Sequence, residues 1–157
     1  MLSIVCVYNN DKILRDVLLK SLENQTAEYE LITLDNTANR FKSAAEALNY
    51  GGLKAKGDYI VFVHQDMWFY SSTWLEEAER LVASIPDLGI AGVAGMSEEG
   101  ESRDERRKWS IEVFDEIYEA IGPVQKPEEV QTLDECVLLV PTPVFGKLKF
   151  DAKIFNG

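Results

Sequence analysis

Positive charge is scarce in this chain. Its 157 residues carry 16 Lys and Arg against 27 Asp and Glu, a net charge of -11. Nucleic acid and anionic membrane both demand a basic footprint, so neither is expected as a partner. A small phosphorylated ligand held through a metal is still admitted. Histidine is scarcer: His64 is the only one. A Ser-His-Asp triad would have to use it, and no serine or cysteine sits in a nucleophile elbow. The two cysteines, Cys6 and Cys136, lie inside apolar runs without metal-type spacing, and read as buried thiols. No G-x-G-x-x-G follows the first apolar run and no G-x-x-x-x-G-K-[ST] occurs, which excludes the dinucleotide fingerprint and the P-loop. No apolar stretch approaches the ~20 residues of a membrane-spanning helix, and no secretory h-region is present. These absences point to a protein of the reducing cytoplasm without a transmembrane segment.

What is present is ordinary for a globular domain: 46% hydrophobic and 27% charged residues. The length suits one domain, able to bury roughly 70% of its unfolded surface. The clearest stretch is Asp58-Tyr59-Ile60-Val61-Phe62-Val63-His64-Gln65-Asp66. A short unbroken apolar run reads as a strand buried on both faces, as in a parallel sheet. Ser3 to Tyr8 and Tyr29 to Leu34 read the same way. Between the first two strands Ile13, Leu14, Val17, Leu18, Ser21 and Leu22 recur at helical period. Asn9-Asn10-Asp11 gives the N-cap signal ahead of them. A second helix spans Ser43 to about Lys56, interrupted by Gly51-Gly52 and closed by Gly57 as a C′ residue. The first 66 residues thus read β-α-β-α-β. The fold expected is α/β, a mostly parallel open sheet with helices on both faces.

The remainder is less regular. Met67 to Tyr70 is an aromatic run expected to pack under the next helix. Thr73 with Glu76 has capping-box spacing, and Trp74, Ala78, Leu81, Val82 and Ile85 form the buried face of the helix that follows. Leu88 to Gly95 reads as one glycine-rich buried strand. Glu98 to Lys108 reads as a charged solvated loop, or as a mobile lid. Asp115 to Ile121 has helical spacing. Gly122-Pro123 breaks it, and a strand runs from Cys136 to Val140.

In open α/β sheets ligands bind just beyond the carboxyl ends of the strands. Three such exits are polar here: Tyr8-Asn9-Asn10, Asp35-Asn36 and His64-Gln65-Asp66. One polar exit is a turn. Three on one edge make a candidate site. Residues two apart in a turn can point the same way, so His64 and Asp66 can share a cation. Hard oxygen donors with one imidazole suit Mg²⁺ or Mn²⁺, and such an ion would offset the charge of a pyrophosphate. Asp134 or Glu135, leading into the strand at 136, can face the same site, and Asp134 is taken as the candidate catalytic carboxylate.

An ordered series of residues carries a resemblance. Ser3 to Asn9, Ser21-Leu22-x-x-Gln25-Thr26-x-x-Tyr29-Glu30-Leu31-Ile32-x-x-Asp35-Asn36, Asn49-x-Gly51, and Ala55-x-Gly57-Asp58 through Asp66 resemble the family 2 glycosyltransferases of GT-A fold, in their glycosyltransferase-like branch. The likeness is strongest over the first ~95 residues. It implies residues 1–95 as a nucleotide-binding half and 96–157 as a partial acceptor-side half. It also implies a nucleotide-sugar donor of UDP or dTDP type, an Mn²⁺ or Mg²⁺ ion, and an unknown glycan, lipid or protein acceptor. By it, Tyr8 and Asp35 lie against the base with Asn36 beside them, Asn49 belongs to the nucleotide-binding set, and His64-Gln65-Asp66 stands where the family has Asp-x-Asp. His64 is a departure, since the first acidic position is an imidazole here. The sequence ends after the Phe150-Asp151 pair, where the family's catalytic base usually follows. A degenerate or truncated nucleotide-sugar-binding domain is therefore the alternative. A nucleotidyltransferase is disfavoured, because Asn9-Asn10-Asp11 replaces its glycine-rich basic loop.

Overall fold

The computed structural model describes residues 1–114, 117–120 and 127–153. Its centre is β1 (Leu2–Tyr8), with all residues from Leu2 to Cys6 buried. Asn10 turns the chain into α1, its side-chain oxygen accepting from Lys12 N (3.1 Å) and Ile13 N (3.2 Å), which satisfies two otherwise orphaned helix donors. α1 is α-helical at Asp11–Ile13 and Lys20–Leu22 and π-wound over Leu14–Leu19. Leu14, Val17, Leu18 and Leu22 are its buried side.

β2 (Tyr29–Asp35) follows, then α2 (Ala44–Gly52), capped by Ser43, whose Oγ accepts from Glu46 N. α2 stops at Gly52 instead of continuing to Lys56. Gly57 is not its C′ residue: it lies against the first strand, where a Cβ would stand 2.6 Å from Met1 O and 2.8 Å from Ser3 N. β3 (Tyr59–Val63) and the short β4 (Met67–Phe69) come next, then α3 (Trp74–Ala83). The expected Thr73–Glu76 capping box does not form. Thr73 Oγ1 donates to Glu77 Oε1 (2.6 Å), and Glu76 accepts from Thr26 Oγ1 (3.2 Å). Gln25 ties the preceding loop to α1, donating to Ser71 O (2.7 Å) and accepting from Leu75 N (3.0 Å).

Beyond α3 the chain forms β5 (Ala91–Gly92), β6 (Ala94–Met96), α4 (Arg103–Arg106), β7 (Arg107–Trp109), β8 (Ile111–Phe114), β9 (Ile117–Ala120), β10 (Thr132–Leu133), β11 (Val137–Pro141) and α5 (Thr142–Lys147). The single strand expected over Leu88 to Gly95 is thus two short ones in different sheets. The charged stretch from Glu98 is partly ordered: Ser102 and Glu105 form a reciprocal capping box, and β7 pairs with β6. Ile117–Ala120, expected to be helical, is a strand held between β4 and β8. The rest of that expectation, at 115–116 and 121, lies outside the described residues.

Among the described residues the main sheet has five strands in the order β2-β1-β3-β11-β5. β1 is parallel to both β2 and β3, and β11 runs antiparallel between β3 and β5. Alternation of side chains along these strands divides the core. Ile4, Cys6, Val61 and Val63 pack with Leu14, Leu18, Trp74 and Ala78. Val5, Ile60 and Phe62 pack with Ala47 and Phe145. Two further three-stranded sheets, β10-β6-β7 and β4-β9-β8, are formed among the described residues. Among the described residues, no helix is long and apolar enough to cross a membrane.

Candidate functional site

Parallel pairing of β2, β1 and β3 sends all three chains out at one edge. The register sets Tyr8 beside Asp35, and β3 leaves the sheet at Val63. A cleft of about 440 Å³ opens there, within the range of small-ligand pockets. Tyr8 and Asn9 from β1, Asn36 and Lys42 from the loop after β2, and His64, Gln65 and Asp66 from the turn after β3 line it. A larger, mainly apolar cleft of about 1030 Å³ lies between α3 and residues 86–95, 107–110 and 127–133. None of the three polar exits reaches it.

Gln65 is the brace of the smaller cleft. Its Oε1 accepts from Asn9 N (3.1 Å) and Asn10 N (3.0 Å), and its Nε2 donates to Asn9 Oδ1 (2.7 Å). One side chain thereby locks the exit of β3 to that of β1. It leaves His64 and Asp66, on either side of it in sequence, in the cleft wall. His64 is fixed by its backbone, donating to Cys136 O (3.1 Å) and accepting from Met67 N (3.3 Å). Its imidazole is half-exposed, with Nε2 4.0 Å from Glu135 Oε1.

The other wall is built by Asn36. Its N–H donates to Tyr8 O (2.8 Å), its side-chain oxygen accepts from Phe41 N (2.8 Å), and its carbonyl accepts from Asn39 N (3.0 Å). Asn39 has φ of 52°, a left-handed conformation that asparagine tolerates. Asp35 is the register partner of Tyr8 on β2. Its Oδ1 accepts from Thr37 N (2.8 Å) and Thr37 Oγ1 (2.7 Å). These bonds hold its carboxyl below the usual range, with a smaller contribution from the Tyr8 hydroxyl. Tyr8 is shifted upward, by desolvation first and then by the Asp35 charge.

The residues expected at the site therefore divide. Tyr8, Asn36, His64 and Asp66 line the cleft; Asp35, Asn49 and Asp134 do not. Asn49 clamps the backbone of Phe150 in both directions, donating to its carbonyl (2.9 Å) and accepting from its N–H (3.0 Å). Asp134 closes a turn, its Oδ1 accepting from Cys136 N (2.9 Å). Glu135 is the carboxylate that β11 delivers to the cleft. Antiparallel pairing of Val137 with Val63 carries the residues before β11 past the residues after β3. A sequence pattern cannot choose between two adjacent acids ahead of a strand; the strand's register does. Gln65 and Lys42 carried no sequence signal beyond their neighbourhood.

Burial pushes the Cys6 thiol up to about 12, with the Asp66 charge adding to it, and Cys136 likewise to about 12. Both thiols are free and buried, so neither supplies a thiolate nucleophile. The residues that could offer donors to a divalent cation are the Asp66 carboxylate and the His64 imidazole, both in the turn after β3. Among the described residues no group of three or more His, Cys, Asp or Glu side chains is gathered to hold an ion.

No curated protein matches the chain. The model of the family described as "Glycosyltransferase like family" matches residues 2–157, essentially the whole chain, and the chain belongs to that family.

Proposed function

We propose that this chain transfers a sugar from a UDP- or dTDP-type nucleotide-sugar donor to an acceptor hydroxyl on a glycan, lipid or protein, with inversion and with Mn²⁺ or Mg²⁺. The family supports a glycosyltransferase-type function. The observation that carries the finer reading is the meeting of three polar strand exits in one cleft of about 440 Å³. Tyr8 and Asn36 form the wall for the base, with Asp35 the register partner of Tyr8. Asn49 serves the same site indirectly, by seating α2, whose Ala44 and Leu48 line the cleft. Asp66 with His64 holds the cation, jointly with the donor. The cation supplies charge neutralisation at the leaving diphosphate.

In the transfer, the acceptor oxygen forms a bond to the anomeric carbon as the bond from that carbon to the diphosphate oxygen breaks. The hydroxyl proton passes to a base. Asp134 is the carboxylate expected there, but it lies outside the cleft with its Oδ1 accepting from Cys136 N–H, and Glu135, the other acid ahead of β11, is the one in the cleft wall. With the expected Asp134 outside the cleft, the second reading is a nucleotide-sugar-binding domain without turnover. Release of free sugar from the donor separates the two. For the donor site itself, Asp66→Ala should abolish Mn²⁺-dependent UDP binding in a calorimetric titration while leaving the unfolding midpoint near wild type. An unchanged UDP affinity in Mn²⁺ rejects the assignment.

A further inference from the structure

We propose that Lys42, an exposed lysine in the cleft wall, holds the phosphate chain of a nucleoside diphosphate, across the β1 exit from the turn that carries Asp66. This rests on the donor-site reading above and adds to it the residue that meets the phosphates. The charged or titratable walls of the cleft include Lys42, His64, Asp66 and Glu135. Lys42 is the one lysine or arginine among them, in a chain of net charge -11.

Its backbone is held from both sides. Phe41 is buried and donates its N–H to Asn36 Oδ1 (2.8 Å), and Ser43 is buried as the cap of α2. The Lys42 N–H donates to Glu46 Oε2 (2.8 Å), so the nearest acid in the following turn is engaged by backbone. Among the described residues the Lys42 ammonium has no ion-pair partner, a condition it shares with most of the chain's lysines and arginines, so its place in the cleft wall is what singles it out. Arg40 does not replace it. Its guanidinium lies over the Phe41 and Tyr50 rings, 5.1 and 5.5 Å from their centroids, and Arg40 is not part of the cleft wall.

Topology supplies the rest. In the order β2-β1-β3, Lys42 arrives from the loop after β2 and Asp66 from the turn after β3. Tyr8 and Asn9 lie between them at the end of β1. An anion lying across the β1 exit would have Lys42 on one flank and the turn of Asp66 on the other. Two linked phosphates use both flanks; a single phosphate uses one. An ammonium suits this task as a compact, directionally tolerant charge for phosphate.

The test is a set of titrations in Mn²⁺ on wild type, Lys42→Gln and Lys42→Arg. The probes are UDP and dTDP with their monophosphates and nucleosides. Lys42→Gln should weaken the diphosphate roughly 10-fold, weaken the monophosphate less and leave the nucleoside unchanged. Lys42→Arg should restore most of the loss. Equal diphosphate affinity in Lys42→Gln and wild type overturns the proposal. So does an equal loss for nucleoside and diphosphate, which would make Lys42 structural. If wild type binds no nucleotide, the donor-site reading falls too, so the two failures are distinguishable.

Discussion

Replacing Gln65 by alanine removes three hydrogen bonds that join the β1 and β3 exits, at 3.1, 3.0 and 2.7 Å. A net intramolecular hydrogen bond contributes about 0.5–1.5 kcal/mol. Here one oxygen serves two of the three bonds, and water can reach the donors left behind. The low end of the range therefore applies, giving roughly 1–2 kcal/mol in all. For a domain of this size that lowers Tm by roughly 3–6 °C. The functional loss should exceed the stability loss, because Asn9 is freed and the turn holding His64 and Asp66 loses its tether. Gln65→Glu keeps an acceptor for Asn9 and Asn10 but loses the donor to Asn9 Oδ1 and adds a charge near Asp66, so it should fall between. Urea unfolding gives the first quantity and calorimetric titration of UDP in Mn²⁺ the second. A wild-type midpoint together with wild-type affinity in Gln65→Ala would refute the brace.

Three further outcomes follow from particular contacts. Asn49→Ala should cost about 2–3 kcal/mol in urea unfolding, since it strands both the N–H and the carbonyl of Phe150; a loss below that of a surface substitution would count against the clamp. Gly51→Ala sets a helix-propensity gain of about 1 kcal/mol against a Cβ placed 2.5 Å from Val5 Cγ1 and 2.9 Å from Leu34 Cδ1. Overpacking typically costs about 1–3 kcal/mol, so the variant should be less stable, and a net gain would mean that β1 and α2 are not in contact there. Glu30 accepts from Ser3 Oγ (2.6 Å) and Lys56 N (2.9 Å), bonds that lower its pKa from the usual 4.5. Its stabilisation is therefore complete above that value and is lost as pH falls through the lowered one. Glu30→Gln should flatten the acid limb of a urea-midpoint series, and an unaltered limb would exclude Glu30 as a source.

The parts of the fold that are legible in the sequence are those set by local burial. Tyr59 to Val63 is apolar at every position because both faces of β3 are covered, so it declares itself without a partner. The second half is decided by pairing between distant segments. Ile117–Ala120 carries helical spacing yet is a strand, because β4 and β8 take its backbone hydrogen bonds. Leu88 to Gly95 breaks in two because its glycines accept close backbone approach; a Cβ on Gly95 would stand 2.5 Å from Thr132 O. The π-winding of Leu14–Leu19 leaves the apolar stripe intact and no trace in the pattern. The cleft follows the same rule. Tyr8, Asn36, His64 and Asp66 were readable as polar residues ending apolar runs. Asn49 is implied only by the family resemblance and Asp134 by its place ahead of a strand, and only the fold shows each engaged with backbone. Glu135 required the register of β11 on β3.

The most direct test of a metal-assisted nucleotide-sugar site is the Tm of the wild-type chain with UDP, dTDP or GDP, each with and without Mn²⁺. A ligand at about 100 times its Kd stabilises by about 2.7 kcal/mol, roughly 5–10 °C for this chain. The account predicts a shift of that order with UDP or dTDP when Mn²⁺ is present, and little from either component alone. No shift with any nucleotide in the presence of Mn²⁺ would contradict it.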